Sequence, residues 1–228
     1  MSELGLPRGS LHRFLATLMH SGYIEKDAAT NRYRVSLKAF TTGIAYITQS
    51  ELLTRSYPFL QELSHRTGLS SHLAVWDGDT VLYLQNVTDP RVELYPELGA
   101  RRPLHATALG KCCMAFANEE RWIKLFDTQL ERFTPNTIMD VNHMRKELES
   151  VRNLGYAVDD EERIVGFRCV AAPVRSRDGE VIAAISITGN LEIVSAKRMP
   201  ELAEAVRDTA LRISVQMGYR PDTPVGLR

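Results

Sequence analysis

Pro7-Arg8-Gly9-Ser10-Leu11-His12-Arg13-Phe14-Leu15-Ala16-Thr17-Leu18, followed by Gly22-Tyr23-Ile24 and Arg32-Tyr33-Arg34-Val35, is the stretch whose reading decides the fold. Leu11, Phe14, Leu15, Leu18 and Met19 recur at the spacing of one face of an α-helix. Pro7 suits a first helical turn, where an N–H would have no partner, and Gly22 suits a left-handed end. Tyr23–Lys26 and Arg32–Ser36 read as two short strands around a polar turn from Asp27 to Asn31. A helix followed at once by a small hairpin is the geometry of a helix laid in a DNA major groove with a β-wing beside it. On that reading Arg8, Ser10, His12 and Arg13 face the groove, and Arg32 and Arg34 face wing phosphates. An ordinary surface helix with a hairpin behind it has the same pattern.

The charge distribution leans toward the first alternative. The 228-residue chain balances 28 basic against 28 acidic side chains. Residues 1–38 hold six Lys/Arg and three acids, a net of +3, which leaves 22 against 25, or −3, for the remainder. A basic head on an acidic body fits a small DNA reader attached to a sensor. Hydrophobic residues make up 44% of the chain, which argues against global disorder. No apolar run approaches the roughly 20 residues of a membrane span, and no basic-then-apolar signal peptide opens the sequence. Three cysteines, Cys112, Cys113 and Cys169, are too few and odd in number for a disulfide scaffold, so a reducing cytoplasm is expected. Cys112 and Cys113 read as core residues of a helix. No phosphate-binding glycine loop, metal motif or nicotinamide fingerprint is present, so no cofactor, no metal and no enzymatic activity are expected.

Beyond the hairpin, Leu37 to about Leu53 reads as a connector helix, and about Leu52–Arg66 as a second helix interrupted or bent near Pro58. Ser71–Trp76 and Thr80–Val87 flank the turn Asp77-Gly78-Asp79, which predicts a hairpin. Val92–Leu98 is a further candidate strand. A small-residue helix follows Pro103–Lys111, and helices are expected at Asn118–Glu131 and Val141–Asn153. Strands return at Tyr156–Asp159, Cys169–Arg175 and Val181–Thr188, and a long helix runs from about Ser195 to Gly218. This order predicts an α+β fold with an antiparallel sheet. The expected divisions are a DNA-binding module at 1–38, a linker helix at 39–55, a sensor domain at 56–219 and a loose tail at 220–228.

Several strings in this order resemble the IclR family of bacterial transcriptional regulators. They are Gly5-Leu6-Pro7, His12-Arg13 and Leu15–Leu18 in the recognition helix, Gly22-Tyr23-Ile24 and Tyr33-Arg34-Val35 in the wing, Pro103–Lys111, Thr134–Ile138, Gly155–Glu162, Gly166–Val174 and Ala183–Gly189. The resemblance implies a winged helix-turn-helix, a linker helix that helps to dimerise, and a GAF-like effector-binding domain. It implies double-stranded operator DNA as one partner and a small organic or aromatic acid as the other, with the protein a homodimer or a dimer of dimers. The effector positions that carry over are Ala108 and Leu109, Asp159, Phe167, Cys169, Ser186 and Thr188. The chemistry is coherent: Ala108 and Leu109 open a helix, where free N–H groups favour an anion. Ser186 and Thr188 project from one face of a strand, Asp159 accepts a hydroxyl or N–H, and Phe167 and Cys169 supply apolar wall. Read without the resemblance, these residues have plainer roles. Alternating Ser/Thr is commonly solvent-facing or packed, a lone cysteine is commonly core, and Asp159–Glu162 is a run of acids of the kind that forms a solvated face.

Arg101 and Arg102 precede Pro103 in what reads as a loop. Arg102 offers a two-pronged partner to a carboxylate, which favours a dianion or an aromatic acid; a surface arginine is the alternative. Family members carry further residues ahead of the recognition helix, forming a first helix and most of a second, so the module here is expected to be truncated, its helix partly exposed and its DNA binding weak. That leaves a sensor that has lost DNA binding as a second reading. The third is an enzyme with Cys169 as nucleophile beside His105 and Asp159, although no nucleophile-elbow string accompanies Cys169, and His105 also reads as a buried hydrogen-bonding residue.

Overall fold

Pro7, at φ −58° and ψ 142°, leads into α1 (Arg8–His20), and Gly22 at φ +77° ends the helix in the left-handed region that favours glycine. The computed structural model describes residues 5, 7–88 and 98–221. They fall into two units, Met1–Thr54 and Arg55–Arg228.

In the first unit β1 (Ile24–Lys26) pairs antiparallel with β2 (Tyr33–Val35), with Glu25 opposite Arg34. Asp27 shapes the turn by accepting the N–H groups of Ala29 and Thr30, both at 2.8 Å. α2 (Leu37–Gln49) follows directly, capped by Ser36, whose hydroxyl accepts from Lys38 N at 3.2 Å and donates to the Gly22 carbonyl. Lys38 Nζ donates to the Ser21 carbonyl at 2.7 Å. The start of α2 is therefore tied to the end of α1 by capping and backbone bonds. No residue of α1 or α2 is buried.

The connector expected to run to Leu53 stops at Gln49, because Ser50 turns extended and accepts the Leu53 N–H, which starts α3 (Glu51–Thr67). Of the interruption or bend expected near Pro58, the interruption is absent: Pro58 lies inside a continuous α3. Gly68 at φ +69° ends α3.

The second unit is built on a six-stranded, wholly antiparallel sheet with order β5-β4-β3-β8-β7-β6. β3 (Ser70–Asp77) and β4 (Thr80–Val87) form the expected hairpin, and β5 (Arg101–Pro103) pairs with β4 at the edge. Arg101 and Arg102 thus lie on a strand and not in a loop. Of the strand expected at Val92–Leu98, residues 92–97 lie outside the described residues, and Leu98 is in a turn. The chain then crosses to the far edge through α4 (Ala108–Ala115), α5 (Glu119–Trp122) and α6 (Val141–Leu154). The single helix expected at Asn118–Glu131 is four residues of α5 followed by a 3-10 turn, Ile123–Asp127. β6 (Ala157–Asp160), β7 (Phe167–Arg175) and β8 (Val181–Asn190) complete the sheet, and α7 (Met199–Gln216), shorter at its start than expected, closes the chain.

Strand alternation assigns the two faces. Leu73, Val170, Ala172, Ile185 and Ile187 are buried on the side covered by α7 and α3, where Ser71 Oγ donates to the Leu60 carbonyl at 2.8 Å. On the other face Ala74, Ala157, Ala171 and Ala184 are all small and lie under α4. Four alanines let a helix approach the strands closely. Further along the same face the side chains become Asp159, Cys169, Ser186, Thr188 and Tyr83, which are larger and polar. The fold is α+β, as expected.

Candidate functional site

The alanine layer ends where α4 begins, and a cavity of about 90 Å³ opens there, room for a few waters or one small organic molecule. All eight residues expected at an effector site line it: Arg102, Ala108, Leu109, Asp159, Phe167, Cys169, Ser186 and Thr188. Tyr83, Thr107, Arg163 and Ile164 complete the wall. Arg102 comes from one edge strand and Asp159 from the other. In a flat six-stranded sheet those edges would stand roughly 24 Å apart, so the sheet is curled around the cavity.

The first turn of α4 is held by two devices. Thr107 caps it, accepting from Gly110 N at 3.1 Å while donating to the Pro103 carbonyl at 2.9 Å. Gly110 lets the preceding loop lie against the helix, since a Cβ at this position would sit 2.2 Å from the Leu104 carbonyl oxygen. As the first two helical residues, Ala108 and Leu109 have N–H groups with no intrahelical acceptor.

The acids of Asp159–Glu162 do not form a solvated face. Asp159 and Glu162 are buried, and Asp160 is exposed. Asp159 Oδ1 accepts the N–H groups of Glu162 at 2.8 Å and Arg163 at 3.2 Å. Burial, and then the nearby Glu162 charge, push the Asp159 carboxyl up to about 7, against the pull of Lys111 and these two N–H groups. Lys111, one of the most deeply buried side chains, bonds Glu162 and reaches Glu147 at 2.9 Å. Burial works against its charge, but the two carboxylates outweigh it and hold its pKa above the usual lysine value. This cluster pins α4 and α6 to the loop after β6, so it fixes the wall that carries Arg163 and Ile164.

Thr188 Oγ1 donates to Cys169 Sγ at 3.2 Å, and burial, then the Asp159 charge, raise the thiol's pKa above its usual value. That is the reverse of an activated nucleophile. His105 is buried but does not line the cavity; its Nε2 lies 3.0 Å from the Glu131 carbonyl oxygen. The Cys-His-Asp constellation is therefore not assembled. Arg101 also stays out of the cavity and pairs with Asp77, with Nη1 3.1 Å from Thr80 Oγ1. Among the described residues no His/Cys/Asp/Glu group is arranged to hold a metal.

Sequence reasoning missed four cavity residues. Tyr83 was legible in the alternation of β4, two residues from buried Val81, and Thr107 in its place before a helix. Arg163 had only a weak signal, a lone cation directly after four acids. Ile164 had none.

In the first unit Arg8, His12 and Arg13 are exposed on α1, with Arg8 and His12 one turn apart, and Ser10 is half-buried. Arg32 and Arg34 are exposed at the hairpin, where Arg34 bonds Glu25 at 3.0 Å.

Comparison with known proteins places this geometry. The model of the bacterial transcriptional regulator IclR C-terminal domain matches residues 44–215, and that of the IclR helix-turn-helix domain matches residues 1–28. The HTH-type transcriptional repressor AllR of Escherichia coli (strain K12) is 35% identical over 220 residues, 96% of this chain and 81% of AllR. The crystal structure of the C-terminal domain of the E. coli transcriptional regulator KdgR is 32% identical with a TM-score of 0.68, covering 75% of this chain and 100% of that one. An IclR homolog from Microbacterium hydrocarbonoxydans, crystallised in complex with 4-hydroxybenzoate, shares the fold at 23% identity and a TM-score of 0.78, covering 93% of this chain and 86% of its own. This chain belongs to the IclR family of transcriptional regulators, with a helix-turn-helix segment and a C-terminal effector domain.

Proposed function

We propose that α1 and the β1–β2 hairpin dock on double-stranded operator DNA, and that a small organic or aromatic acid in the α4 cavity changes the affinity of that contact. The observation that carries this reading is the convergence of Asp159, Cys169, Ser186 and Thr188 with the first turn of α4 on one cavity, in a chain whose family regulates transcription. The unpaired N–H groups of Ala108 and Leu109 suit a carboxylate. The hydroxyls of Ser186 and Thr188 fix its orientation, and Phe167 offers an apolar wall. The 4-hydroxybenzoate of the Microbacterium homolog makes hydroxybenzoates the first compounds to test, with small keto acids as the non-aromatic counterpart.

In the reader, Arg8, Ser10, His12 and Arg13 meet base edges and groove walls, while Arg32 and Arg34 meet phosphates. The Arg34–Glu25 bond is exposed on both sides, so it exchanges readily for a phosphate. AllR is a repressor, and repression is the sense we carry over. The exposed apolar residues of α2, Leu37, Phe40 and Tyr46 among them, suit contact with a second copy in a homodimer or dimer of dimers. Among the described residues no helix is long and apolar enough to cross a membrane, and the three free thiols fit a reducing cytoplasm.

The test has two stages. A thermal-shift screen of hydroxybenzoates and keto acids identifies the class that raises Tm, and mobility shift against DNA selected from a random duplex pool then measures its effect. The reading expects one acid class to bind and to change DNA affinity by about tenfold. An acid that binds yet leaves DNA affinity unaltered removes the regulatory link. A sensor with no DNA binding is the second reading, favoured by an α1 on which Phe14 and Leu18 remain exposed; failure to select any duplex would support it.

A further inference from the structure

Two arginines line this one small cavity from opposite edges of the sheet, Arg102 from β5 and Arg163 from the loop after β6. Among the described residues neither makes an ion pair with a carboxylate. Arg102 Nη1 donates to the Arg101 carbonyl at 3.1 Å. The Arg163 guanidinium stacks over the Phe133 ring, 3.9 Å from its centre, and its Nε is buried with no hydrogen-bond partner. A buried cationic donor left unpaired is costly, and a guanidinium offers a fork of donors to a planar anion. The two cations also feel each other: after burial, Arg102 is the next cause lowering the Arg163 pKa.

We propose that Arg102 and Arg163 together hold a second carboxylate of the ligand, so that the cavity selects a short dicarboxylate over a monocarboxylate. This rests on the effector-site reading above, in which the first carboxylate meets the N–H groups of Ala108 and Leu109. Charge balance supports it. The lining contains two guanidinium groups and one carboxyl, Asp159, whose ionisation is suppressed by burial. A monoanion at the helix end leaves both arginines without an ion-pair partner, with only the fields of the nearby Glu131 and Asp159 acting on Arg163, whereas a dianion meets both ends. The ring stack on Phe133 restrains Arg163 from swinging out to solvent, so its donors are already in place when the ligand arrives.

The experiment is calorimetric titration of the whole chain with malonate, succinate and glutarate, each against its half-amide, which keeps the shape and removes one charge. The wild type is expected to bind at least one diacid about tenfold more tightly than its half-amide. Arg163→Gln and Arg102→Gln should each shrink that preference to about threefold or less while half-amide affinity stays. Arg163→Lys, which keeps the charge but loses the fork, should fall between, and its Tm reports whether the fold survives. Arg101→Gln removes a charge outside the cavity and should leave the ratio unchanged. Equal binding of diacid and half-amide, or binding of aromatic monoacids with no diacid binding, overturns the dicarboxylate inference and leaves the effector-site reading standing. If no diacid, half-amide, hydroxybenzoate or keto acid binds, both fall.

Discussion

In the unit Arg55–Arg228 the sheet buries Leu73, Ile185 and Ile187 on one face and a layer of alanines under α4 on the other. In the unit Met1–Thr54, α1 and α2 bury nothing, and Phe14 and Phe40 are each more than half exposed. The first is stabilised by packing, which tolerates a cavity and a buried charge cluster because many other contacts share the load. The second is held by a capping serine, an Asp turn and a lysine on a carbonyl, so its shape is local and its side chains are left for contacts with other molecules. A substitution should therefore be felt strongly in one unit and weakly in the other.

Gly110→Ala is the sharpest way to strain the packed unit. The added methyl would meet the Leu104 carbonyl oxygen at 2.2 Å and the Leu104 Cα at 2.4 Å, backbone atoms and not the end of a flexible side chain. The expected cost is about 3 kcal/mol, which in a chain of this size is a fall in Tm of roughly 6–12 °C by circular dichroism. A Tm that stays in place would mean that α4 is not held against the loop as described.

The effect of Asp159→Asn depends on pH. The Asp159 carboxyl titrates near 7 in the folded chain and near 3.8 when unfolded. Its contribution is fully present below the unfolded pKa and is lost as pH rises through the folded one. Asparagine keeps an acceptor for the N–H groups of Glu162 and Arg163 and cannot ionise. The stability of the variant relative to wild type should therefore climb between about pH 4 and pH 7 and level off above. Urea denaturation across that range measures it; a flat difference would place the Asp159 carboxyl in ordinary solvent.

The smallest effect belongs to the open unit. Phe14→Ala should change stability by no more than about 0.5 kcal/mol, while Leu60→Ala in the packed unit should cost about 2–5 kcal/mol. Paired chemical denaturation of the two variants checks the contrast directly. A large loss at Phe14 would show that α1 packs against something that the exposure of its side chain does not reveal.

The sequence was most legible where a single physical signal acts alone. The 3.6-residue stripe and Gly22 located α1, and Asp77-Gly78-Asp79 located the β3–β4 turn. Misreadings came where signals compete. Ser50 ends one helix by capping the next, a feature that apolar periodicity across 37–53 conceals. Pro58 remained inside α3, on an exposed side of the helix. At 159–162 the plain alternative of a solvated acidic face fails, because strand alternation and buried Lys111 draw Asp159 and Glu162 inward. The resemblance carried seven positions onto one cavity wall and the chemistry of Arg102 added an eighth, yet neither pointed to Arg163, which lines the same wall.

The central claim is that this wall recognises a small acid through its hydroxyls and the first turn of α4. The most direct measurement is calorimetric titration of wild type and of the Ser186→Ala/Thr188→Val variant with the acid that most raises Tm. Saturable one-site binding by wild type, weakened at least about tenfold in the variant while Tm is retained, is the predicted result. Undiminished binding by the variant would contradict it.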